Sequence, residues 1–169
     1  MKNIKISALS LFLLVTVVLI TFFTLGITKE VKANSQPEGF PMVIELEDFD
    51  FKNGQVVEHK DASGGKAVIA TNLQFTATKT VKFHQPGYYE LTFIMNAPDG
   101  ASDAINVKTD VGPFRIYPDE ALSGNFTECL RKVPINVKNP GEEITIFVFT
   151  SNELGALYDK VVINYIKPL

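Results

Sequence analysis

Residues 75–96 read FTATKTVKFHQPGYYELTFIMN. In the first half, Thr76, Thr78 and Thr80 fall on one phase of a period-2 pattern, while Phe75, Ala77, Val81 and Phe83 fall on the other. That alternation, rich in β-branched residues, is the pattern of a half-buried strand. QPGYY at 85–89 supplies the Pro and Gly of a turn, and residues 89–96 continue as a second strand. Working outward, strand signals recur at 42–47, 55–59, 66–70, 104–109, 113–117, 129–137, 144–150 and 160–166, with turn residues between them and no 3.6-residue periodicity. About nine strands without an interspersed helix predict an all-β chain folded as a β-sandwich. The first and last strands are both strong and are expected to lie side by side.

The ends of the chain bound what the fold can use. Residues 1–33 combine Lys2 and Lys5 with an almost uncharged apolar run at 6–27, then Val31-Lys32-Ala33. This reads as a signal peptide cleaved before Asn34, with an uncleaved N-terminal membrane anchor as the rival reading. Either way the remainder is exported, secreted or held at the cell surface. NSQPEGFP at 34–41 reads as a linker and 42–169 as one domain. Of 16 basic and 19 acidic residues, removing Lys2, Lys5, Lys29, Lys32 and Glu30 leaves 12 and 18, a net charge of −6. Such a surface repels nucleic acid and anionic lipid, so membrane contact is expected only through the N-terminal segment. A monomer is expected.

Cys129 is the only cysteine, which excludes an intrachain disulfide in an exported chain and reads as a small buried hydrophobe. His59 and His84, the only histidines, lack metal-binding spacing, and no nucleophile elbow, P-loop or CxxC motif is present. MVIELEDF at 42–49 places Glu45 and Glu47 two residues apart in an apolar run. On one strand, both carboxylates face the same way about 7 Å apart, a repulsive arrangement unless water or a cation intervenes. Two carboxylates at such a separation suit glycoside hydrolysis, but neighbours on one strand cannot flank a bond from opposite sides. No enzyme activity is expected.

IELEDF at 44–49, DASGGKAV at 61–68 and ALYDKVVINYI at 156–166 together resemble the opening strand, Gly-Gly-Lys run and closing strand of carbohydrate-binding modules of families 6 and 35. Residues 81–98 resemble that group's Pro-Gly hairpin. The resemblance spans roughly residues 43–167 and implies a galactose-binding-like jelly roll with a structural calcium ion. Its protein ligands, carried over residue by residue, are Glu45, Glu47, the carbonyl of Lys66 and Asp159. Calcium takes six to eight hard oxygen ligands, which carboxylates and carbonyls supply. Asp50 and Asp61 are weaker alternatives, since loop aspartates are usually turn formers.

The resemblance also implies that aromatic rings in loops at one end of the sandwich stack on sugars. This chain departs from the pattern: it has no Trp, and Val68-Ile69-Ala70 after the Gly-Gly-Lys run offers no ring. The remaining candidates are Phe126, Asn152, Tyr158 and Tyr117, weighed against core packing, the ordinary fate of rings in a chain with 13 phenylalanines. The expected function is a non-catalytic module binding a polysaccharide or cell-surface glycan. The alternative is a calcium-braced structural or adhesive sandwich that contacts protein. An exposed aromatic pair at the loop end favours the first, and a flat apolar patch on a sheet face favours the second.

Overall fold

The computed structural model describes residues 36–97, 104–119, 124–150 and 154–169, so the signal or anchor at 1–33 lies outside the described residues. Alternation becomes strand wherever one phase can be buried. In chain order the strands are β1 (Met42–Glu45), β2 (Asp50–Lys52), β3 (Gly54–Glu58), β4 (Lys66–Ala70), β5 (Thr76–Phe83) and β6 (Gly87–Asn96). They continue as β7 (Ile105–Lys108), β8 (Pro113–Ile116), β9 (Thr127–Glu128), β10 (Val133–Val137), β11 (Glu142–Thr150) and β12 (Leu157–Lys167). Among the described residues there are twelve strands rather than about nine, chiefly because β2 and β9 are too short to carry a periodic signal.

The strands form two antiparallel sheets. The seven-stranded sheet runs β10-β6-β12-β4-β3, with β1 also paired to β12 and β9 to β6. The five-stranded sheet runs β2-β5-β11-β7-β8. Their inner phases meet in one core: Leu91, Phe93, Met95, Val161 and Ile163 face Ala77, Val81, Ile146 and Val148. First and last strands do pair, Met42 opposite Ile163 through Glu45 opposite Lys160. Among the described residues, no helix is long and apolar enough to cross a membrane.

Three expectations change. β5 and β6 are not a hairpin: they lie in different sheets, and the chain crosses the core between them. Each strand needs an inner phase in the same core, and the crossing is fixed by Phe83 against Tyr89, ring centroids 4.8 Å apart. The first strand stops at Glu45, and Leu46–Asp48 is a 3-10 turn that drives Leu46 fully into the core. Glu47 therefore does not share a strand face with Glu45. The domain also begins before residue 42, within one unit spanning Gln36–Leu169, because Phe40 packs on Phe83 and Tyr89.

At the crossing, Gly87 is buried, and a Cβ added there would lie 2.5 Å from the Tyr165 ring and 2.8 Å from the Lys167 carbonyl oxygen. The carbonyl belongs to a strand and cannot swing away. Gly87→Ala is expected to lower unfolding free energy by roughly 1–3 kcal/mol, read by denaturant titration. Cys129 is 1% exposed, its N–H donates to the Phe93 carbonyl at 2.8 Å, and burial pushes its thiol up to about 12. Alkylation at pH 8 is expected to run at least ~100-fold slower in the native domain than in denaturant, as thiolate forms only on opening. Labelling at equal rates in both states would contradict this burial.

Candidate functional site

One edge of β12 serves two partners. Leu157 and Tyr158 pair with β4, whereas residues from Lys160 onward pair with β1. Asp159 sits at the hand-over, where the ladder with β6 on the other edge also slips between Tyr158 and Lys160. A bulge of this kind turns consecutive side chains the same way. Accordingly Tyr158 and Asp159 are both buried, at 1% and 2% exposure.

The hand-over gathers the acids the sequence singled out. Ser63 stands between them: its N–H donates to Asp159 Oδ1 at 2.8 Å and its hydroxyl to Glu45 Oε1 at 2.8 Å. Gly64 takes a left-handed φ of 60° in the Ser63–Gly65 turn, and Glu47 Oε1 lies 3.9 Å from where a Cβ would project. Lys160 Nζ is 3.8 Å from Asp159 Oδ2. Burial holds the Asp159 carboxyl above its ordinary range, with Glu45 and Glu47 pushing the same way and the Ser63 N–H and Lys160 opposing. Glu45 Oε2 and Glu47 Oε2 are buried without a hydrogen-bond partner.

Lys66 adjoins the same turn through its backbone, its N–H donating to the Ser63 carbonyl. His59 N–H donates to the Gly65 carbonyl at 2.9 Å, and the neighbouring pair in that ladder is Glu58 opposite Lys66. Hydrogen-bonded and non-hydrogen-bonded pairs alternate in an antiparallel ladder, so the Lys66 carbonyl points away from β3, toward the β12 side. Its side chain is exposed. Among the described residues no three Asp, Glu, His or Cys side chains already stand at the spacing of a coordination sphere. The acids are held apart on the Ser63 hydroxyl and amide. Two orphaned carboxylate oxygens and hard oxygen donors throughout still fit a calcium ion in kind, with closure of the side chains onto it.

The expected sugar-binding residues fare unevenly. Tyr158 is corrected: it stacks on Phe75 at 5.5 Å and meets Phe93 at 6.1 Å inside the core, because the bulge turns it inward. Asn152 lies outside the described residues. Tyr117 is half-buried with the Arg115 guanidinium over its ring at 5.4 Å. Phe126 is half-buried and meets His59 edge-on at 5.1 Å. Beside it, Asn96 donates to the Gly124 carbonyl at 2.6 Å, while Asn96 Oδ1 and Thr127 Oγ1 are buried without partners.

A second surface went unnoticed in the sequence. β11 buries Ile144, Ile146 and Val148, which leaves Thr145, Phe147 and Phe149 on the outer face of the five-stranded sheet. The two rings lie side by side, centroids 5.4 Å apart and tilted by 36°. They line a groove of about 670 Å³ bordered by Lys108, Asp110, Glu143 and Thr145. Across Phe147 lies a smaller hollow of about 340 Å³ edged by Asp50, Lys52, Thr76 and Thr78. The signal was available: two rings at i and i+2 on the outer phase of ITIFVFT, whose inner phase is already aliphatic.

No protein-family model and no curated protein sequence matches the chain. Solved structures do resemble it. One is an exo-β-1,3-galactanase from Phanerochaete chrysosporium with β-1,3-galactotriose, at 18% identity and TM-score 0.57; the match covers 72% of this chain but only 28% of the galactanase. A family 35 carbohydrate-binding module from Clostridium thermocellum matches over 73% of this chain and 97% of its own, at 14% identity and TM-score 0.57. The C-terminal CBM6 of LamC from Zobellia galactanivorans matches over 73% and 98%, at 17% identity and TM-score 0.52. The chain has the fold of these family 35 and family 6 carbohydrate-binding modules.

Proposed function

We propose that the protein is an exported, non-catalytic module that binds a polysaccharide or cell-surface glycan and is braced by a structural calcium ion. The observation that carries the sugar reading is the Phe147–Phe149 pair in its groove. Sugar rings present apolar C–H faces and polar rims. Two adjacent rings offer stacking surface, while Thr145, Lys108, Asp110 and Glu143 offer hydrogen bonds around it. The pair lies on a sheet face rather than at the loop end. Its border of Lys108, Asp110, Glu143 and Thr145 suits a hydroxylated chain. At the loop end, the half-buried Phe126 ring supports a second contact point of the same chemistry.

The calcium reading rests on the hand-over in β12. Three carboxylates lie near enough there to affect one another's charge, two of their oxygens are buried without partners, and a backbone carbonyl points to the same side. The ion would supply charge neutralisation and a link between the start and end of the domain. Export rests on the apolar residues 6–27 of the sequence.

Affinity electrophoresis and a glycan array test the first part. Phe147→Ala and Phe149→Ala are each expected to weaken binding about tenfold or more and to leave the melting temperature within a few degrees, since both rings are half-buried on an outer face. Silence of the unaltered domain on a broad array, with capture of a protein ligand instead, would favour the adhesive alternative. Melting with calcium and with chelator tests the second part. Calcium at about 100 times its dissociation constant is expected to raise the melting temperature by roughly 5–10 °C. Glu47→Ala is expected to abolish that response while sparing sugar affinity measured below the melt. Identical curves with calcium and chelator for the unaltered domain would sink the calcium site.

A further inference from the structure

Lys160 belongs to the carboxylate cluster as a fourth charge. The β1–β12 register sets it directly opposite Glu45, and such residues share a face with Cβ atoms about 4.5–5.5 Å apart. Along its own strand it reaches Asp159, with Nζ 3.8 Å from Oδ2 and only 25% of its side chain exposed. The ammonium therefore stands beside one of the acids proposed to hold the ion, on a residue opposite a second, and its side chain is long enough to swing out to solvent.

We propose that Lys160 is the resident counter-ion of this cluster and sets its affinity for divalent cations. Without a cation, its charge offsets one of the three carboxylates and limits their mutual repulsion. When calcium arrives, the ion occupies the same field, and two like-charged groups within a few ångströms of one carboxylate repel. The ammonium then withdraws toward solvent, and calcium affinity is reduced by the work of displacing it. The result is a weak site of the kind that suits an extracellular module, where free calcium is plentiful. This inference rests on the reading of the cluster as a calcium site.

The test compares the unaltered domain with Lys160→Gln and Lys160→Arg by calcium calorimetry and by melting in chelator. Lys160→Gln is expected to bind calcium about tenfold more tightly, the size of one nearby charge removed from a partly buried site. In chelator it should melt several degrees lower, because three carboxylates then face one another unrelieved. Saturating calcium should close that gap. Lys160→Arg keeps the charge and should stay within about threefold of the unaltered affinity. Calcium bound no more tightly by Lys160→Gln than by the unaltered domain would overturn the inference and leave the calcium site standing. No heat and no melting shift in any of the three proteins, at calcium on the order of 10 mM, would remove the site and this role of Lys160 together.

Discussion

The structure depends on one strand edge that serves two partners. β12 pairs with β6 along most of its length on one side, but its other side belongs first to β4 and then to β1. Through that pairing the last strand holds the first, and the two ends of the domain are joined. Where the edge changes hands, neither neighbour fills it, and the space is taken by side chains: Asp159 from the strand itself, Glu45 and Glu47 from the chain leaving β1, and Ser63 from the chain entering β4. A buried, unpaired carboxylate oxygen is costly, and two orphaned oxygens beside a third acid leave this place short of partners. In a domain whose single cysteine is buried, no disulfide can do the same joining.

The sheets divide the work. The seven-stranded sheet carries the junction of first and last strands. The five-stranded sheet carries the ring pair on its outer face, at its middle strand. Because β11 lies between β5 and β7, Phe147 and Phe149 have Thr78 and Thr76 opposite on one side and Lys108 and Asn106 on the other. A platform on a central strand is held by two ladders at once, which fixes its geometry better than a loop could. That placement matters here because two of the rings expected at the loop end are spent elsewhere: Tyr158 in the core and Tyr117 under an arginine.

Much of the fold was legible because period-2 alternation reports a buried phase, and β1, β3, β4, β5, β6, β7, β8 and β11 emerge within two residues of their expected bounds. Alternation does not report which sheet a strand joins, so residues 75–96 read as a hairpin when they form a crossing. It also fails at irregularities. The turn at Leu46–Asp48 broke the shared face of Glu45 and Glu47, and the bulge at Asp159 sent Tyr158 inward against its apparent phase. Glu45 and Glu47 stand out in the sequence as two charges in an apolar run, whereas Asp159 is marked only by the resemblance of the closing strand to those of the carbohydrate-binding modules. Lys160 was not, because its role depends on a register that only pairing reveals. Phe147 and Phe149 were hidden by abundance, two among many rings in a chain where most rings are core.

The two candidate sites lie in different sheets, yet packing connects them. Tyr158, next to Asp159, stacks on Phe75 at the head of β5. The Phe75 carbonyl accepts from the Thr150 N–H at 3.4 Å, and the Thr150 hydroxyl donates to the Leu73 carbonyl at 2.8 Å. Thr150 directly follows Phe149 on β11. A displaced Asp159 would thus be felt, through one stacked pair and one strand end, at the edge of the ring platform. Such contiguity is a path for rigidity, whereas a switch requires an element with two arrangements. A cation at the hand-over would therefore add stability to both sheets through this packing, while the ring pair keeps its geometry without it, held by the ladders on either side of β11.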